Sequence, residues 1–70
     1  MEIKFNKKLY TIKAIQEAIK TYKELADFVL SEEENYFFVN LTNIDKELEL
    51  VIQDEFCNYV LSNVKIKNGD

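Results

Sequence analysis

The side chains that could do chemistry in this chain of 70 residues are a run of acids, one thiol and a pair of adjacent acids. Residues 32–34 are three consecutive glutamates, and consecutive carboxylates of one loop cannot all converge on a single cation. Asp54 and Glu55 are neighbours in a predicted helix, where adjacent side chains diverge. Cys57 lies in the middle of that helix, away from the positive helix start that would activate a thiol. We therefore predict no catalytic residue, no cofactor-binding residue and no metal ligand.

The composition excludes several further classes of site. The chain has no His and one Gly, so it offers no imidazole base, no histidine zinc ligand and no glycine-rich phosphate loop. Its single Cys cannot form an internal disulfide. All of its bases are lysines and the net charge is −4, which argues against binding of nucleic acid. We predict that the protein is not an enzyme.

The distribution of apolar residues also bears on location. The longest uninterrupted apolar run covers residues 36–39, far short of the roughly 20 residues that cross a bilayer. The N-terminal residues lack the apolar stretch of a signal peptide. The sequence therefore predicts a cytoplasmic protein without a membrane partner.

The first half of the chain shows a change of hydrophobic period. Ile3 and Phe5 alternate with polar residues, which predicts a short strand. Thr11 is a suitable N-cap for an amphipathic helix over about residues 12–24. A dense apolar stretch over residues 26–30 predicts a second strand.

The second half predicts a hairpin partner and another helix. Alternating apolar residues over 36–42 predict the third strand, joined to the second by the charged residues 31–35. Asn43 or Asp45 then caps a helix over about residues 45–63. The polar residues 65–70 are predicted to fray.

The element order β-α-β-β-α predicts one α+β domain over residues 1–70. The simplest packing is a two-layer sandwich, with a three-stranded mixed sheet and both helices on one face. Strand order 1-3-2 is favoured because the third strand is the most apolar, and order 1-2-3 stays open.

This arrangement leaves apolar surface uncovered on the other face of the sheet. Tyr36 and Phe38 point away from the face that both helices cover. The second helix is apolar around much of its circumference, with Leu50, Cys57 and Leu61 on a second side. That side can face the first helix or another subunit. Contiguous apolar surface usually marks an interaction site, so we predict that these five residues form an interface with a protein or peptide partner or between the two copies of a homodimer.

Several segments together resemble the HxsD family, small proteins of His-Xaa-Ser peptide-maturation systems. The resembling segments are residues 5–10, the first helix with Ala14 and Ala18, residues 26–30, the hairpin and residues 55–61. The family ends in a helix with a Leu-Asn-x-x-Leu signature and a nearby Arg. This chain has Asn58 and Leu61 at the matching spacing and Cys57 in place of the first Leu. The Arg is missing, and the only nearby bases are Lys65 and Lys67.

The resemblance implies an accessory role without catalytic residues. Members of the family are encoded beside radical-SAM proteins and a short precursor peptide. We therefore expect a non-enzymatic adaptor that binds a peptide or a partner enzyme, by strand addition at an exposed sheet edge. The alternative is a stand-alone structural or regulatory homodimer.

Overall fold

The computed structural model describes residues 1–68 of the chain, with side-chain burial defined for residues 1–65. These residues form a small α+β domain, which confirms the predicted class. Its elements, in chain order, are β1 (Glu2–Asn6), α1 (Ile12–Tyr22), β2 (Asp27–Glu32), β3 (Tyr36–Thr42), a 3-10 helix (Lys46–Leu48) and α2 (Ile52–Asn68).

The three strands form one sheet in the order β1-β3-β2, which confirms the favoured strand order. Both neighbouring pairs are antiparallel, so the predicted mixed sheet is wrong. The reason is topological. The connection through α1 makes β1 and β2 parallel to each other, but β3 lies between them and no parallel pair becomes hydrogen-bonded.

Helix α1 begins where the sequence predicts. The Thr11 hydroxyl accepts a hydrogen bond of 3.2 Å from the Ala14 N–H, which satisfies one of the unpaired donors of the first turn. The small residues Ala14 and Ala18, together with Ile15, are fully buried on one side of the helix. The remaining side of α1 is largely exposed.

The core lies against one face of the sheet. The register places Phe5 opposite Phe37 and Ile3 opposite Val39, and directly opposed residues share a face. The buried residues of both helices belong to the same hydrophobic cluster as these strand residues. The most enclosed large side chains of that cluster are Phe5, Phe56, Ile15, Leu41, Ile52, Val39 and Val60.

The second helix is shorter at its start than predicted. Of the two predicted caps, Asn43 and Asp45, it is Asp45 that caps, but it caps a separate 3-10 turn and not α2. Its carboxylate accepts a hydrogen bond of 3.1 Å from the Glu47 N–H. The chain then turns again, and α2 begins only at Ile52, not at residue 45. Asn43 precedes this break with a φ of 51°, a left-handed conformation that asparagine tolerates better than most residues.

The buried side of α2 is a single stripe at four-residue spacing, made of Ile52, Phe56, Val60 and Val64. Val60 in the middle of this stripe is fully enclosed, and Val64 at its end also belongs to the core. The helix continues to Asn68, so residues 65–68 of the predicted frayed tail are helical, and residues 69–70 lie outside the described residues.

Candidate interaction surface

The two aromatic residues predicted at an interface, Tyr36 and Phe38, lie on the face of the sheet away from the core. Their ring centroids are 6.3 Å apart, and both side chains are half-buried. The Lys4 ammonium lies 4.6 Å from the centre of the Tyr36 ring, a cation–π contact that covers part of the ring. The aromatic pair is therefore present but partly covered by this chain's own β1.

The rest of this face is mainly polar and open. Phe38 lies between Lys4 on β1 and Ser31 on β2, while Asn40 lies between Glu2 and Val29. Val29 is 62% exposed, the one strongly exposed apolar side chain among the described strands. The open face thus has a short apolar diagonal rather than a broad aromatic patch.

The other three predicted interface residues lie in two different segments of the chain. Leu50 is 97% exposed and lies in the turn between the 3-10 helix and α2. Cys57 and Leu61 share a side of α2 by their four-residue spacing, with Cys57 half-buried against the core and Leu61 exposed at its rim. Because α2 begins after Leu50, the helical phase that linked Leu50 to Cys57 in the sequence does not apply.

The environment of Cys57 lowers its chemical reactivity. Burial raises the pKa of the thiol above its ordinary value, and the Asp54 carboxylate raises it further. A raised pKa means a smaller thiolate fraction at neutral pH, and the thiolate is the nucleophile. We therefore interpret Cys57 as a residue that packs against the core and not as a nucleophile.

This predicts slow alkylation of the folded protein. At pH 7.5, iodoacetamide should modify Cys57 several-fold more slowly in the native protein than in the same protein unfolded in urea. The native rate should keep rising with pH beyond the range where an ordinary thiol has already ionised. A native rate equal to or above the unfolded rate would show that the thiol is activated.

An apolar groove lies where α2 meets the end of α1 and the 3-10 helix. It has a volume of about 500 Å³ and is lined by Thr21, Tyr22, Leu25, Leu48, Val51, Ile52, Glu55 and Tyr59. The sequence did not predict this groove, because the predicted helix over residues 45–63 contained no break between Leu48 and Ile52.

The two tyrosines of this groove contact each other across the helix pair. Their ring centroids are 5.7 Å apart, and the Thr21 hydroxyl donates a bond of 3.3 Å to the Tyr59 hydroxyl. Desolvation raises the pKa of Tyr22, and the nearby Glu55 carboxylate and Tyr59 raise it further. Tyr22 therefore stays protonated well above neutral pH, so it offers no phenolate for catalysis.

The two outer strands expose backbone hydrogen-bonding groups along the sheet edges. Hydrogen-bonded and non-hydrogen-bonded pairs alternate along an antiparallel ladder. The Glu33 N–H bonds to the Tyr36 carbonyl at 2.8 Å, so counting back along β2 puts Ser31, Val29 and Asp27 in the pairs bonded to β3.

The remaining residues of β2 direct their backbone groups outward. Phe28 and Leu30 therefore present N–H and C=O groups at the free edge, and no other described residue bonds to these groups. The same counting from the reciprocal bonds between Met1 and Leu41 makes Lys4 the central outward-facing residue of β1.

The side chains make these two edges unequal. On β1, the core-facing Ile3 and Phe5 are only 5% and 2% exposed, so the core reaches the edge of the sheet. On β2, the core-facing Phe28 and Leu30 are only half-buried, although the Phe28 ring stacks on Phe56 at 5.2 Å. The core therefore covers the side chains of β2 less completely than those of β1.

Charge separates the same two edges. Residues 1–23, which contain β1 and α1, carry six lysines and two glutamates, whereas residues 24–70 carry three lysines and eleven acids. Lys4 lies at the centre of the β1 edge, and a lysine there protects an edge strand against pairing. The charges of β2 are at its two ends only, at Asp27 and Glu32.

Comparisons with protein-family models, curated proteins and solved structures find no match to this chain. The resemblance to the HxsD family therefore stays a prediction. Within residues 1–68, no helix is long and apolar enough to cross a membrane. The described residues also contain no group of three or more Cys, Asp or Glu side chains placed to hold a metal ion.

Proposed function

We propose that this protein is a non-enzymatic adaptor whose free β2 edge binds an extended peptide segment. The segment belongs to a short peptide or a partner enzyme, as in the radical-SAM peptide-modification systems that the resemblance implies. In this proposal the domain is a two-layer sandwich, with the helices behind the sheet and the binding edge at its side. The protein acts in the cytoplasm.

The observation that carries the proposal is the incomplete edge at β2. Phe28 and Leu30 combine apolar side chains that are only half-buried with outward backbone groups that no other described residue bonds to. An added strand would bond to those groups and cover both side chains at once, which is how strand addition combines affinity with specificity. The β1 edge offers neither uncovered core residues nor an uncharged centre.

Exposed residues on α2, two of which belong to the signature that the chain shares with the HxsD family, are available for an additional contact with a partner. Asn58 and Leu61 both lie exposed on α2. Leu50, with its nearly complete exposure, lies in the turn just before that helix. A partner enzyme whose extended segment is bound at β2 would make a second, weaker contact with these residues.

Co-purification from the native host tests the proposal. A tagged copy of the chain should recover a short peptide or a radical-SAM protein, identified by mass spectrometry. Leu30→Pro, which removes the outward N–H at the edge, should reduce that recovery at least tenfold, whereas Lys4→Pro at the other edge should leave it within twofold.

The alternative function, a homodimer, is favoured by Tyr36, Phe38 and Val29 on the open face. The same purification decides between the two functions. Recovery of an untagged second copy of the chain and nothing else, lost on Phe38→Glu and kept on Leu30→Pro, would support the homodimer and contradict the adaptor.

A further inference from the structure

We infer that the segment bound at the β2 edge has a centre of alternating apolar and polar residues and a basic residue at each end. This inference rests on the proposed function and adds the chemistry of the ligand. It follows from the order of side chains along β2, from Asp27 through Phe28, Val29, Leu30 and Ser31 to Glu32. Directly opposed residues of an added strand share a face with their partners on β2.

The centre of the strand sets the apolar part of the ligand. Side chains opposite Phe28 and Leu30 lie on the core side, where they complete a surface that is already half-buried. Side chains opposite Val29 and Ser31 lie on the open face in contact with water, where β-branched polar residues such as threonine fit. The ligand therefore alternates between apolar and polar residues over four positions.

The ends of the strand set the charge. Asp27 is exposed, and its carboxylate accepts a bond of 2.7 Å from the neutral Asn43 amide, which leaves its charge uncompensated. Glu32 pairs with Lys7 at 2.6 Å, but Glu33 and Glu34 follow directly and are exposed. Both ends of the edge are therefore negative, and cross-strand pairs of opposite charge are favourable.

The same charges disfavour a second copy as the occupant. Antiparallel pairing of β2 with itself brings the Asp27 end of one strand beside the Glu32 end of the other. Like charges meet at both ends of such a ladder, and each chain already carries a net charge of −4. A strand with lysine or arginine at its ends removes this repulsion.

Three labelled peptides test the inference by fluorescence anisotropy. Each has the centre Thr-Val-Thr-Val with capped termini, and the flanking residue on both sides is lysine, serine or glutamate. At low salt the lysine peptide should bind about tenfold more tightly than the glutamate peptide, with the serine peptide between them. The difference should shrink towards twofold in 0.5 M salt, where exposed charges are screened.

Charge-neutralising variants locate the effect. Asp27→Asn with Glu33→Gln should remove much of the preference for lysine, because these replacements remove an uncompensated charge at each end of the edge and keep the size of the side chain. Glu47→Gln with Glu49→Gln removes the same net charge from exposed positions near the 3-10 helix and should leave the preference unchanged.

The outcomes separate this inference from the proposed function. Equal binding of all three peptides, abolished by Leu30→Pro, would overturn the charge inference and leave the peptide-binding function standing. A lysine preference that is unchanged by Asp27→Asn with Glu33→Gln would also overturn it. Binding of none of the peptides would overturn it as well, and the co-purification then decides the proposed function independently.

Discussion

Replacing Phe56 by alanine is expected to destabilise the protein by about 3–5 kcal/mol. Phe56 is fully buried and contacts three other rings, with centroid distances of 6.2 Å to Phe5, 5.9 Å to Tyr22 and 5.2 Å to Phe28. These rings come from β1, α1 and β2, so a cavity at this position weakens the contacts of α2 with all three elements. A domain of this size has a total stability of roughly 4–10 kcal/mol, so the variant should be partly unfolded at 37 °C.

Urea unfolding followed by circular dichroism measures this effect. Leu61→Ala is the matched control, because Leu61 lies on the same helix but is exposed at its rim. That change should alter the free energy of unfolding by less than about 1 kcal/mol. Equal losses for the two variants would show that the ring cluster around Phe56 is not the centre of the core.

Replacing Leu30 by proline is expected to weaken binding of the lysine-flanked peptide at least tenfold. The Leu30 N–H points away from β3, so proline removes a donor from the free edge without breaking the ladder to β3. Proline also places its ring where an added strand must approach. The fold should survive, since edge strands accept proline at outward-facing positions.

Leu30→Ala is the matched control for this variant. It loses the same half-buried side chain but keeps the outward N–H, so the peptide should bind within about threefold of its affinity for the native protein. Anisotropy titrations of both variants, after circular dichroism confirms that they fold, make the comparison. Equal loss of binding in both would mean that side-chain packing, and not the backbone edge, holds the peptide.

Local patterns in the sequence were sufficient for much of the fold. Alternation over residues 36–42 predicted β3 with its observed bounds, and the Thr11 cap and the period of the following residues predicted α1 to within two residues of its end. The apolar richness of β3 predicted its central place in the sheet. These features depend on neighbouring residues, so a single sequence carries them.

The two errors in the fold have different causes. A mixed sheet belongs to strand order 1-2-3, whereas in the favoured order the hairpin strand β3 lies between β1 and β2 and both hydrogen-bonded pairs are antiparallel. The predicted order therefore already implied the observed sheet. The second helix was drawn through residues 45–51 because its apolar spacing continues there. In the structure, Leu48 packs against the core from the 3-10 helix instead, and Leu50 is left exposed.

The candidate site was also only partly predictable from the sequence. The sequence placed Tyr36 and Phe38 on the open face, and it proposed strand addition without choosing an edge. The choice depends on how far the core extends over β2, which is visible only once Phe28 and Leu30 are found half-buried while Ile3 and Phe5 are enclosed. Uneven coverage of two edges is a property of three-dimensional packing and leaves no local pattern.

Amide hydrogen exchange measured by NMR tests the central claim most directly. In the free protein the Phe28 and Leu30 amides should exchange rapidly, because they bond to no other described residue, whereas the Val29 amide should be protected by β3. Saturating lysine-flanked peptide should slow exchange at Phe28 and Leu30 at least tenfold and leave the Lys4 amide unchanged. Protection that appears at Lys4 instead, or at neither edge, would contradict the assignment of β2 as the peptide-binding edge.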